Sequence, residues 1–214
     1  MTPPSPSELS MLSTAELFER AEAEIRADDP EWHWDHLVAL HQRPTPEVFE
    51  TAWALTRDSD PERRELGVRV LREVGRNDPA AADLRRDNAP VLRDLLAREE
   101  DVTVLAWVVS AIGYNLVAEA LPDLIRLAGH PDDAVRFHVA ANLPVLADPE
   151  APEDAAVAAL ELLTGDEDED VRGYAIYGLV TELNVDRDRI AGTLAKLLAH
   201  PDPEVRRLAA GEPY

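Results

Sequence analysis

An aspartate that opens a charged and then aliphatic run recurs five times along this 214-residue chain. Asp60-Pro61-Glu62-Arg63-Arg64-Glu65-Leu66-Gly67 overlays Asp202-Pro203-Glu204-Val205-Arg206-Arg207-Leu208-Ala209. Between them stand Asp132-Asp133-Ala134-Val135-Arg136 and Asp168-Glu169-Asp170-Val171-Arg172, with a weaker copy at Asp101-Val102-Thr103-Val104-Leu105-Ala106. The five aspartates are 41, 31, 36 and 34 residues apart. No stretch alternates with a period of two, so strands are not expected, and a helix-only period of this size predicts stacked helical hairpins.

Each copy has one layout. A first helix carries leucines at helical spacing, as in Leu121, Leu124 and Leu127 or Ile190, Leu194 and Leu197, and an Asp/Pro turn follows. A second helix then runs through small residues to a leucine, as from Val171-Arg172 to Leu179. Neither helix can bury its apolar face alone, so stacking must supply the core. Ahead of the array, Ser13-Thr14-Ala15-Glu16 has capping-box spacing and opens a helix to about Ala27, and Glu31 to Gln42 reads as a second. Thr45-Pro46 sets an N-cap and a first-turn proline for a third, ending near Arg57. The boundaries that follow are a flexible lead over 1–12, capping helices over 13–45 and one solenoid domain over 46–214.

The segments His130-Pro131-Asp132-Asp133-Ala134-Val135-Arg136, Gly165-Asp166-Glu167-Asp168-Glu169-Asp170-Val171-Arg172 and His200-Pro201-Asp202-Pro203-Glu204-Val205-Arg206 resemble the HEAT-repeat family. The likeness is to the short bacterial repeats of phycobilisome lyase-like proteins, and it covers about residues 46–211. It implies an all-α, right-handed α-solenoid of about five hairpins behind N-terminal capping helices. It does not imply an activity, since one scaffold serves lyases, repair enzymes, hydroxylases and adaptors. The repeated Asp and Arg have a structural reading. Asp60, Asp132, Asp168 and Asp202 cap second helices, and Arg64, Arg136, Arg172 and Arg206 reach the next repeat's turn acids as a ladder. Leu105 takes the arginine's place in the second repeat, so the ladder is expected to break there.

Composition narrows the function. Asp and Glu number 43 against 21 Lys and Arg, a net charge of -22, which repels phosphate backbones and anionic lipid. The surplus is spread over both halves, so it belongs to the folded surface. Lys196 is the only lysine, and the absence of cysteine excludes disulfides, thiolate metal sites and cysteine nucleophiles. No run approaches the roughly 20 apolar residues of a membrane-spanning helix, and the Pro/Ser-rich start is not a secretion signal. A cytoplasmic location is expected.

Catalytic patterns are scarce. Glu31-Trp32-His33-Trp34-Asp35-His36, with His41 beyond, could suggest a His/carboxylate metal site, but Asp35 projects about 100° from His36 around a helix and the spacing fits no standard motif. These residues read instead as the cap of the stack's open end, with Trp32, Trp34, Leu37 and Leu40 apolar and the histidines at the margin. The chain lacks the His-Glu dipeptides of HEAT-like hydroxylases, a phosphate-cradling Gly-rich loop, a Gly-x-Ser-x-Gly elbow and a His-Glu-x-x-His zinc helix. The acids from Asp148 to Asp170 read as helix starts and a solvated edge. No cofactor or metal is expected.

One pattern points to binding. Large residues vary among the copies at fixed places in the second helices, which line the concave face of HEAT-type stacks. Trp107, His138 and Tyr174 share one place, Tyr177 and Tyr114 follow at later turns, and Phe137 stands beside His138. Rigid aromatic anchors with polar tips suit a partner-binding strip, and inter-repeat core is the competing use. Pro144, read as lying inside a Phe137–Leu146 helix, would kink it. The expectation is a non-catalytic scaffold or adaptor that binds a basic protein or peptide on this strip. Two alternatives stay open: an immunity or inhibitor protein against a basic toxin or nuclease, and a lyase-like enzyme with a groove site using His138. Neither nucleic acid nor membrane is expected as a partner, and the chain should be a monomer or self-associate weakly through its C-terminal end.

Overall fold

The computed structural model describes residues 4–27 and 34–212, and among them there is helix and no strand. The chain clusters into two compact units, Met1–Asn115 and Leu116–Tyr214, where the repeat pattern predicts a single solenoid domain over 46–214.

The first unit holds α1 (Pro6–Met11), α2 (Thr14–Ala27), α3 (Asp35–His41), α4 (Pro46–Leu55), α5 (Pro61–Glu73), α6 (Ala82–Arg86), α7 (Asn88–Arg98) and α8 (Val102–Tyr114). A 3-10 turn, Pro79–Ala81, precedes α6. Hairpins α4–α5 and α7–α8 are the first two repeats, and α5 packs along α8. Helices α2 and α3 also pack against α5, as a terminal cap should. The lead differs from expectation. Ser5 and Glu8 form a capping box that starts α1, and the Arg43 guanidinium donates to the carbonyls of Leu12 and Leu9. Local capping and one arginine therefore order a Pro/Ser-rich segment that composition alone reads as flexible.

The second unit begins with a 3-10 turn, Ala118–Ala120, and continues with α9 (Leu121–Leu127), α10 (Asp133–Asn142), α11 (Asp154–Leu163), α12 (Glu169–Tyr177), α13 (Ala191–Leu198) and α14 (Pro203–Ala210). These are three more hairpins, with second helices α10, α12 and α14 packed in succession. Pro144 stops α10 at Asn142 rather than kinking a longer helix. Its ring packs on Gly178, where an added Cβ would come within 2.6 Å of Pro144 Cγ. There α12 passes into a π-helical turn, Gly178–Glu182.

Burial follows the repeat. Leu66, Leu71, Leu92, Leu95 and Ile112 fill the first unit, and Leu124, Leu143, Leu160 and Leu163 the second, all fully buried. Small residues set the helix spacing. A Cβ on Gly67 would lie 2.8 Å from the Ala52 carbonyl, so α5 meets α4 at a distance that only glycine permits. Two buried polar groups tie the first unit together. Glu24 of α2 accepts the backbone N–H groups of His36 and Leu37 and so caps α3 from outside it. Asn88 accepts from Trp53 Nε1 at 2.8 Å and donates to Asn115 Oδ1 at 3.0 Å, leaving neither side chain unsatisfied.

The aspartates and arginines are laid out on one plan. Asp60, Asp101, Asp132, Asp168 and Asp202 each accept N–H groups of the helix they start. Arg64, Arg136, Arg172 and Arg206 each donate Nη1 to two carbonyls of their own turn, at Asp58/Ser59, His130/Pro131, Asp166/Glu167 and His200/Pro201. The opposite edge of Arg64 grips Glu99 of the next turn through two bonds of 2.8 Å. Arg136 grips Asp166 likewise, at 2.6 and 2.9 Å. These are bidentate, largely buried pairs, and the guanidinium holds the Asp166 and Glu99 carboxyls below their ordinary range.

Candidate functional site

The residues of the expected strip fall in both units. In the first unit, α8 presents Trp107 and Tyr114 two turns apart on one face, α5 presents Arg69 and Arg72, and Arg76 follows in the turn after α5. Because α5 and α8 are packed side by side, cation and ring interleave. The Arg69 guanidinium carbon lies 4.1 Å from the Trp34 ring centre and 4.3 Å from that of Trp107, so one cation is held between two indoles. Arg72 lies 3.5 Å from the Tyr114 ring centre and Arg76 4.2 Å, on to the end of the helix. Such contacts contribute about 0.5–2 kcal/mol each, more as water is excluded.

Carboxylates fix the arginines. Glu65 pairs with Arg69 at 3.0 Å one helical turn away, and Glu73 takes Arg72 at 2.5 Å. Burial lowers the pKa of Arg69, and the nearby Glu65 opposes that shift. Arg72 Nε also donates to the buried hydroxyl of Ser110. A cavity of about 590 Å³ opens at the Trp34–Arg69–Trp107 stack, lined by Glu62, Glu65 and Asp101 and also by Arg26, which pairs with Glu62. Its lining thus combines two indoles and three carboxylates with the guanidinium groups of Arg26 and Arg69.

In the second unit, Phe137 is the hub of a ring cluster. It meets Tyr174 edge-on at 5.0 Å and 83° and His138 at 5.1 Å and 71°. Tyr174 is exposed at 45%, whereas Tyr177, His138 and Phe137 are half-buried. The structure thus joins Trp107 with Tyr114 through arginines and joins Phe137, His138 and Tyr174 directly.

The histidines near the N-terminus go separate ways. His36 Nδ1 lies 2.6 Å from the Glu24 carboxylate, and His41 Nε2 is 3.0 Å from the Arg69 carbonyl. Burial pushes the His41 pKa down to about 4, so its ring is neutral and Nε2 donates to that carbonyl. Trp32 and His33 lie outside the described residues. Among the described residues no three His, Asp or Glu side chains are grouped to hold a metal ion. Trp34, read as a plain end cap, and the arginines of α5 were the missed parts of the groove. Their signal was the pairing of basic residues 69 and 72 with rings 107 and 114 on successive second helices, with Arg76 just past the first of them.

No family model and no curated protein matches the chain. Solved structures do. YibA of Escherichia coli is 16% identical over 98% of this chain and 75% of its own, with a TM-score of 0.65. An engineered protein is 20% identical over 94% and 96%, with a TM-score of 0.66. A designed armadillo repeat protein, solved in complex with the peptide (KR)4, is 15% identical over 90% and 96%, with a TM-score of 0.61. At these identities the likeness is one of fold, and it assigns the chain to the all-α helical-repeat solenoids.

Proposed function

We propose that this chain is a non-catalytic scaffold of the HEAT-repeat type whose first unit binds a basic protein segment. One observation carries the reading: Trp34, Trp107 and Tyr114 form a row of rings already engaged by guanidinium groups, beneath a rim of carboxylates. A ligand arginine or lysine would meet there the same two partners that Arg69 meets, an aromatic face and a carboxylate. The net charge of -22 would speed its approach and reject acidic competitors. The bound (KR)4 peptide of the designed armadillo neighbour supports the reading, because a scaffold of this fold can hold alternating lysine and arginine. Among the described residues no helix is long and apolar enough to cross a membrane, in keeping with a partner met in solution.

Fluorescence anisotropy of a labelled alternating Lys-Arg octapeptide tests this, with an alternating Glu-Asp octapeptide as control. Saturable binding of the basic peptide alone is expected. Equal binding of both peptides, or of neither, would contradict the proposal.

A further inference from the structure

The ladder of the second unit contains a mismatch. In each turn, the residue two places before the capping aspartate accepts that aspartate's N–H: Asp58, Glu99, His130, Asp166 and His200 all do so. Asp58 stands in the first repeat and pairs with Arg63 of α5; where a later turn has an acid at this place, the repeat before it supplies an arginine, giving Arg64 with Glu99 and Arg136 with Asp166. Where it is His130, the preceding repeat carries Leu105 at the arginine's place. Arg172 and His200 break the rule, since the arginine is present and the acid is not.

The consequence is visible at Arg172. Its Nη1 is held by the carbonyls of Asp166 and Glu167, but Nε is buried with no hydrogen-bond partner. The same edge in Arg64 and Arg136 grips a carboxylate with two bonds. A cavity of about 460 Å³ adjoins it, and Lys196, the only lysine in the chain, lines it together with Arg172, His200 and Thr193. His200 Nδ1 accepts the Asp202 N–H at 3.2 Å, which leaves Nε2 as the ring's donor. The two carboxylates at the wall are already engaged: Asp166 by Arg136, and Glu161 by the Thr193 hydroxyl at 2.5 Å.

We propose that this cavity binds a small dicarboxylate, one carboxylate closing the ladder on Arg172 as Glu99 and Asp166 close it elsewhere, the other meeting Lys196. The chain supplies the precedent for the first contact at two homologous positions. The lone lysine and the His200 donor supply the second charge and a hydrogen bond. The cavity is of a size that takes small molecules. This site lies in the second unit and is independent of the basic-peptide groove.

Isothermal titration of the whole chain with glutarate, acetate, phosphate and chloride at matched ionic strength reads the site out. Glutarate is expected to bind saturably and at least tenfold more tightly than acetate or phosphate. Lys196→Gln should weaken it at least threefold with no change in melting temperature. His200→Asp restores the missing acid, so it should raise the melting temperature of the ligand-free chain and reduce glutarate binding at least tenfold. The proposal is overturned if glutarate gives no saturable heat, if phosphate binds more tightly than glutarate, or if His200→Asp binds it as well as the wild type.

Discussion

Single residues in this chain take their properties from the turn or groove that holds them. His41 shows this best. Its ring is buried and neutral, donating to a carbonyl of the helix that carries the arginine row. A depressed histidine pKa means that the unfolded chain binds the proton more readily, so His41 contributes its full stability above pH 6.5. That contribution is lost as pH falls from 6.5 towards 4, by about 3 kcal/mol over the window. Urea denaturation at pH 7 and 4.5 should therefore show a larger loss for wild type than for His41→Gln, which keeps a donor without the titration. Equal losses would place the acid sensitivity elsewhere. The carboxylates held low by arginines, Asp166 and Glu99 among them, act in the same direction but at more acidic pH, and both variants share them. At this scale the sequence was legible where one residue type has one task. The capping aspartates could be read because an N–H left free at a helix start needs a local acceptor. The pairing of Glu24 with the start of α3 was not, because that carboxylate comes from another helix.

At the scale of helices and hairpins, glycine separates close packing from mere flexibility. Gly67 sits where α5 crosses α4, and a methyl group there would meet the Ala52 carbonyl at 2.8 Å and the Leu55 Cβ at 3.0 Å. Gly192 of α13 has nothing within 4 Å of the same position. Gly67→Ala should destabilise the chain by about 1–3 kcal/mol through overpacking. Gly192→Ala should stabilise it by about 0.5–1 kcal/mol through helix propensity. Thermal melts of the two variants check both signs, and a destabilised Gly192→Ala would show that α13 is more crowded than its packing indicates. The hairpins were legible because the aspartate period, the Thr45-Pro46 start and the leucine spacing all agree. Helix α1 and the end of α10 were not, and for opposite reasons. A capping box ordered residues whose composition suggests none, and Pro144 ended a helix whose apolar pattern runs on.

On the scale of the molecule, charge and repeat answer different questions. On the proposed reading, the net charge of -22 would select the sign of a partner and the hairpin array would supply the surface that holds it. The aromatic row was visible in sequence as Trp107 and Tyr114 on one helix face, but its chemistry was not. A count of aromatics cannot show that Arg69 and Arg72 of α5, and Arg76 just beyond it, lie against those rings, because that follows from the register of two packed helices. With the arginines in place the row is an alternating stack of rings and cations, and the proposed basic segment would have to fit that stack.

The most direct measurement is the affinity of the alternating Lys-Arg octapeptide for wild type and for a Trp107→Ala variant that keeps its helical circular dichroism, each from low to physiological salt. Removing one wall of the Trp34–Arg69–Trp107 stack should weaken binding roughly tenfold, the equivalent of about 1.4 kcal/mol. Wild-type affinity should also fall as salt rises, through screening of the carboxylate rim. Unchanged affinity in Trp107→Ala, or affinity indifferent to salt, would contradict a basic-peptide groove in the first unit.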